Sequence, residues 1–210
     1  MKVRKFKSLL HIGSLPTDTP LVYAPDRFGN GAHYEGIGLS VTTEPDEWQR
    51  IGVPGDIVAV SKLDRKPGAF LDWHNDKKSV KLAWRWAVDE GWAYYDTAWD
   101  VVYSDEYGER NMRFYSKKDA ETEVEYSDGQ GLRIVPREAL RPTKKLSSRW
   151  ASLFNNDYIF VEEEAVNLWI AAIHPELDGV WWEDIIDHDL SAPRGNILPH
   201  ALPRWIARSV

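Results

Sequence analysis

Two tryptophans stand directly before two carboxylates in the segment GVWWED, residues 179–184. Successive side chains of a strand point to opposite faces, so Trp181 would share a face with Glu183, and Trp182 with Asp184. A carboxylate beside an apolar wall that excludes water acts strongly on positive charge developing in a substrate. The alternative is structural: one tryptophan packs inward and the acids cap the solvent end of the strand. Of the two acids, Glu183 has the longer side chain and reaches farther from the strand.

A histidine lies near the end of an apolar strand in the segment KSLLHIGSL. His11 could present its ring at the mouth of a cleft, because the turn at Gly13 allows the backbone to approach a ligand closely. The alternative is a buried histidine whose hydrogen bonds are satisfied within the fold.

Small polar side chains alternate along a second strand, in the segment YEGIGLSVT. Alternation places Ser40 and Thr42 on one face, where they could line a ligand or simply meet solvent. Tyr34, just before this strand, could stack over a planar ring or cover a loop.

Two further groups of polar residues could bind ligands. Arg194 could hold a pyrophosphate through paired hydrogen bonds, or lie solvated in a turn. Asp72, His74 and Asp76 alternate in LDWHND and would share a face of an extended segment. Three such ligands without a distant fourth are weak evidence for a metal, and Asn75 or Asp76 is better explained as a helix cap. We therefore expect no metal.

The periodicity of apolar residues predicts the elements that carry these side chains. Helical spacing predicts one amphipathic helix that ends at Gly91 and a second over residues 157–173. The apolar stripes are Val80, Ala83, Trp84, Ala87 and Val88 in the first helix, and Val161, Ala165, Leu168, Trp169 and Ala172 in the second. We also expect a polar helix over residues 116–126, a hairpin from TAWDVVYS and RNMRFYS, and a basic surface connection in RPTKKLSSRW. Strands at both ends with helices mainly between them favour the α+β class.

The composition limits the function. The 210 residues include 26 Lys and Arg against 33 Asp and Glu, for a formal net charge of −7. We therefore expect no general nucleic-acid binding and no membrane association. The chain has 11 tryptophans and no cysteine, which excludes thiolate nucleophiles and disulfides. The first residues are too polar for a signal peptide, so we expect a cytoplasmic protein.

Three segments, in this order, resemble the ADP-ribosyltransferase superfamily in its diphtheria-toxin and PARP-like branch: HIGS, GIGLSVTTEP and LDGVWWED. That family has a His-Gly-Thr/Ser first strand, a second strand of GLY(F/V)(T/S) type that leads into a helix, and a late GYDGV-type strand with an acidic residue. The resemblance implies a split β-sheet cleft that binds NAD as a substrate.

The resemblance also implies a role for each matching residue. His11 would orient the nicotinamide ribose, and Gly13 with Ser14 would shape the contact with the nicotinamide amide. Ser40 and Thr42 would line the floor of the pocket, and an aromatic side chain would stack on the nicotinamide, for which Tyr23 and Tyr34 are both candidates. Glu183, with Asp184 as its substitute, would support the departure of nicotinamide.

We thus predict an α+β chain with a split antiparallel or mixed sheet, flanking helices and an ADP-ribosyltransferase-like cleft. It would form one domain over residues 1–210, in which residues 95–150 could be an inserted hairpin–helix subdomain. The predicted function is an NAD-dependent mono-ADP-ribosyltransferase, a toxin-like effector with an unidentified macromolecular or small-molecule target. The alternative is a non-catalytic, acidic, tryptophan-rich protein-binding or inhibitor domain of related fold, which the insertion of Ile12 between His11 and Gly13 favours.

Overall fold

The structure is a computed structural model that describes residues 1–23, 37–50, 52–105, 108–127, 131–153, 159–187 and 190–209. The chain divides into two compact units. Unit 1 comprises Met1–Ala93 and Pro142–Val210, and unit 2 comprises Tyr94–Arg141. The predicted subdomain over residues 95–150 overlaps unit 2, whereas residues 142–150 belong to unit 1.

The described residues form eleven strands and five α-helices. In chain order these are β1 (Val3–Phe6), β2 (Ser8–Ile12), β3 (Leu39–Thr42), α1 (Pro45–Arg50), β4 (Ile57–Lys62), β5 (Gly68–Asp72), α2 (Lys77–Asp89), β6 (Ala93–Asp105), β7 (Gly108–Phe114), α3 (Lys117–Tyr126), β8 (Arg133–Pro142), α4 (Lys144–Ala151), α5 (Val161–Ile173), β9 (Gly179–Asp187), β10 (Leu190–Ile197) and β11 (Trp205–Ser209).

Unit 1 is built on one eight-stranded sheet in the order β1-β5-β9-β10-β3-β2-β4-β11. The neighbouring strands are antiparallel, except that β5 runs parallel to β9. Phe70 on β5 and Trp205 on β11 have ring centroids 6.0 Å apart. Six strand spacings would separate these strands by about 29 Å in a flat sheet. The sheet is therefore strongly curled, and the predicted α+β class with a mixed sheet is confirmed.

The two faces of this sheet bury different clusters of side chains. The inner face of the curl packs Phe70, Trp181 and Trp205 with aliphatic residues of β2, β3 and β4. The outer face packs Trp182 and Val180 against α2 and α5. Burying a side chain of this size contributes roughly 1.5–3 kcal/mol, so β9 is a large source of stability for both layers.

Unit 2 is a three-stranded sheet in the order β7-β6-β8, in which β6 and β7 are antiparallel, with α3 beside β7. The predicted hairpin is confirmed, with Asp100 on β6 opposite Arg113 on β7. Buried Asp100 accepts a hydrogen bond of 3.0 Å from Arg113 Nε, and Arg137 Nε lies 3.8 Å from the same carboxylate.

Several helix predictions are confirmed, the predicted apolar stripe of α5 is wrong in part, and the predicted surface connection is wrong. Asp76 caps α2 by accepting from Ser79 N, and Gly91 follows that helix at a φ of +69°. RPTKKLSSRW is not a surface connection, because its central residues form α4 and bury Leu146 and Trp150 at i, i+4 spacing. On α5 the predicted stripe misses buried residues: Leu168 is half-buried and Ala172 exposed, whereas Glu164, Val166, Asn167 and Ile170 are buried.

Candidate functional site

Glu183 lies on β9 at the rim of the inner face. It shares that face with Trp181, whose indole Nε1 donates to Glu183 Oε1 at 3.4 Å. Trp182 packs on the opposite face, so the predicted alternation is confirmed for Trp181, Trp182 and Glu183. The Glu183 side chain is 41% exposed, whereas Trp181 is only 1% exposed. Trp181 is therefore a wall beside the carboxylate and offers no free ring face for stacking.

Arg4, on β1, donates hydrogen bonds to two carboxylates. Its Nη1 donates to Glu183 Oε1, and its Nε donates to Asp72 Oδ2 at 2.9 Å. Asp72 also accepts from the backbone N and the side-chain Nδ2 of Asn75. Burial works to raise the pKa of Asp72, but the hydrogen bonds from Arg4 and Asn75 outweigh it and hold that pKa below its usual value. The hydrogen bond to Asp72 is also the main reason that the pKa of Arg4 is raised.

His11 lies on β2 and is 5% exposed. Its Nδ1 lies 2.8 Å from the carbonyl oxygen of Ser40. A carbonyl only accepts, so Nδ1 carries the proton in the neutral ring and Nε2 keeps a lone pair. Burial lowers the pKa of His11, although its bond to Ser40 acts in the opposite direction, and the neutral ring is favoured near pH 7.

The position of the His11 ring requires a residue without a side chain at position 13, which is Gly13. Its φ is +142°, and its N donates to the Asp56 carbonyl at 2.8 Å. A Cβ at this position would meet His11 Nε2 at 2.8 Å, so any larger residue would displace the ring. The predicted glycine turn beside the histidine is thus present, with Ser14 exposed directly after it.

The strand register brings His11 to the face that carries Trp181 and Glu183. Trp181 pairs with Gly195, and Gly195 pairs with Val41. The pairing of β2 with β3 continues this row to His11. The row crosses β10 and β3, so three strand spacings, or about 14 Å along a flat sheet, separate the two ends. The curl of the sheet shortens the path between side chains on its inner face.

The remaining predicted side chains lie on the outer face or outside the described residues. Thr42 Oγ1 donates to the Pro193 carbonyl at 2.5 Å and accepts from Glu44 N, so this buried hydroxyl serves the backbone. The guanidinium of Arg194 lies over the ring of Trp182, 5.4 Å from its centroid. The structure thus does not bring Ser40, Thr42 and Arg194 to the face of His11; Ser40 contributes only its carbonyl. Tyr34 and the side chain of Asp184 lie outside the described residues.

A buried acid that the sequence reasoning missed lies on α5. Glu164 Oε2 accepts from Ile37 N at 3.1 Å and from Asn167 Nδ2 at 3.4 Å, and Arg149 Nε lies 3.9 Å from Oε1. Complete burial raises the pKa of Glu164 to about 7. Burial, and then the charge of Glu164, raises the pKa of Tyr23. The helical spacing of the sequence indicates that this acid is buried, because Glu164 lies three residues after Val161, on the buried side of α5.

No group of three or more His, Asp and Glu side chains in the described ranges is arranged to hold a metal ion. Asp76, one of the three alternating residues, instead caps α2. Among the described helices, none combines the length and the apolar character needed to cross a membrane.

No family model, curated protein or solved structure matches this chain.

Proposed function

We propose that the chain is an NAD-dependent mono-ADP-ribosyltransferase with an ADP-ribosyltransferase-like fold, in which Glu183 is the catalytic carboxylate and His11 orients the ribose. The observation that carries this proposal is that His11, Trp181 and Glu183 belong to one face of one curled sheet. They come from two strands, β2 and β9, that are far apart in sequence. The resemblance to the superfamily rests on the ordered segments HIGS, GIGLSVTTEP and LDGVWWED, of which the first contains His11 and the last contains Trp181 and Glu183.

The reaction breaks the bond between the ribose C1″ and the nicotinamide nitrogen. The electron pair of that bond goes to nicotinamide, which leaves as a neutral ring, and the sugar becomes positively charged in character. A nucleophile then bonds to C1″ and loses its proton. Water as the nucleophile gives ADP-ribose, and a side chain or small molecule gives the transferred product.

The side chains on the inner face suit this charge development. A partly exposed carboxylate at Glu183 can approach the ribose, and the Trp181 ring excludes water from one side of it. The neutral His11 ring holds its proton on Nδ1 toward Ser40, so its Nε2 can accept a hydrogen bond from a ribose hydroxyl. Neither role requires a covalent enzyme intermediate.

Nicotinamide release from NAD, followed by chromatography, tests this proposal together with transfer of label from NAD to proteins of a lysate. The wild-type chain should release nicotinamide, and Glu183→Gln should lower turnover by about 10²-fold or more. Glu176→Gln, at an exposed glutamate beyond α5, is the matched control and should behave as wild type. Absence of both nicotinamide release and label transfer from the wild-type chain would refute the proposal.

A second candidate is a non-catalytic protein-binding or inhibitor domain of the same fold. It is favoured by the burial of His11 and by the ion pair that Glu183 already forms with Arg4. Thermal unfolding with NAD separates the two candidates. A ligand at 100 times its Kd stabilises the native state by about 2.7 kcal/mol. A melting curve that millimolar NAD does not move would favour the binding domain.

A further inference from the structure

We infer that Arg4 is a positioning residue that holds the Glu183 carboxylate in its working orientation. This inference rests on the proposed NAD cleavage and adds to it a residue outside the segments that resemble the superfamily. Arg4 lies on β1, near the beginning of the chain, and contacts Glu183 only because of the way the sheet is ordered.

The order of the strands explains the contact. β1 pairs with β5, with Arg4 opposite Phe70, and β5 runs parallel to β9, with Asp72 opposite Trp181. Phe6, two residues after Arg4, packs with its ring centroid 4.2 Å from that of Trp181. Arg4 and Glu183 are therefore held on one face by strand pairing and by aromatic packing directly beside them.

One edge of the Arg4 guanidinium is held in place by Asp72, and another edge contacts Glu183. Its Nε donates to Asp72, a buried carboxylate that Asn75 fixes through its backbone N and its Nδ2. Its Nη1 donates to Glu183, whose side chain is much more exposed than that of Asp72. A guanidinium is planar and its donors point in fixed directions, so fixing one edge also fixes the direction of the other.

The charges of this group are compatible with the proposed reaction. One guanidinium between two carboxylates leaves a net charge of −1 on the trio formed by Arg4, Asp72 and Glu183. The trio therefore keeps a net negative charge, which would stabilise the positive charge that develops on the ribose. A long glutamate side chain that is already oriented needs no reorganisation when that charge develops.

Steady-state NAD cleavage by Arg4→Met, Arg4→Lys and Arg4→Ala tests the inference. Arg4→Met should lower kcat by at least about tenfold while KM for NAD changes little, because the lost interaction acts on the transition state. Arg4→Lys should be intermediate, since an ammonium keeps the charge without the planar fork. The matched control is Arg133→Met in unit 2, which removes an exposed ion pair to Glu109 and should leave both constants unchanged.

Two further measurements separate positioning from folding. Added methylguanidinium, well below concentrations that unfold proteins, should restore part of the kcat of Arg4→Ala. A double-mutant cycle of Arg4→Met with Glu183→Gln on kcat should be strongly non-additive. An unchanged kcat in Arg4→Met, with an active wild type, would overturn the role of Arg4. That role would also be overturned by a loss of kcat that methylguanidinium does not restore and that adds to the loss in Glu183→Gln. A wild type that does not cleave NAD would instead refute the reaction, and this inference with it.

Discussion

Glu164 should make the stability of the protein fall as the pH rises from about 4.5 to about 7. Complete burial raises the pKa of this carboxyl from 4.5 to about 7 in the folded chain. Between these values the native state holds a proton that the unfolded chain has released. The linkage relation then requires the free energy of unfolding to decrease with pH in this window.

The magnitude follows from the two pKa values. They differ by about 2.5 units, and one unit corresponds to about 1.36 kcal/mol, so complete ionisation of Glu164 costs on the order of 3 kcal/mol of stability above pH 7. Glutamine has almost the same shape, cannot ionise, and can still accept from Ile37 N. The stability of Glu164→Gln relative to wild type should therefore increase by about 3 kcal/mol between pH 4 and pH 8.5.

Urea unfolding at a series of pH values, followed by tryptophan fluorescence, measures this difference directly. The control is Glu90→Gln, at an exposed glutamate after α2, whose stability relative to wild type should change little with pH. A difference between Glu164→Gln and wild type that stays constant across the pH range would refute the reasoning. A wild-type chain that gains stability over Glu164→Gln as the pH rises would show that Arg149 fully compensates the buried charge.

Three other substitutions test separate parts of the structure. Gly13→Ala should cost about 1–3 kcal/mol of unfolding free energy, because of its positive φ and the His11 ring; an unchanged urea midpoint would contradict this geometry. Asp184→Asn should leave NAD cleavage near the wild-type rate while Glu183→Gln abolishes most of it, and equal losses would mean that the two acids do not have distinct roles. Leu146→Ala should cost about 2–5 kcal/mol if α4 is part of the core, whereas a surface connection would lose almost nothing.

Local patterns predicted the positions of side chains within single elements. The period of two along β9 correctly separated Trp181 with Glu183 from Trp182, and the Asp76 cap was found from residue type and spacing alone. Both are properties of neighbouring residues, which the sequence states directly.

Relations between distant strands could not be predicted in the same way. The pairing of Leu10 with Thr42 decides that Ser40 and Thr42 face away from His11, and no local pattern contains that register. Arg4 was missed because its contact with Glu183 depends on β1 lying beside β5 and β5 lying beside β9. The α4 helix was missed for another reason: its basic surface residues obscured the apolar pair at i, i+4.

The tandem tryptophans of β9 leave its pairing register to be specified by other residues. If β9 slipped by one residue, one tryptophan would still occupy the position of the other, so side-chain size alone does not discriminate between the two registers. Any such slip puts a side chain in place of Gly179, where a Cβ would collide with the carbonyl of Asn196. In one direction the slip also drives Glu183 into the apolar layer that Trp182 occupies. A charged residue at position 183 therefore helps to keep the strand in its native alignment, and a substitution that stays polar is needed to study its chemistry without loosening that alignment.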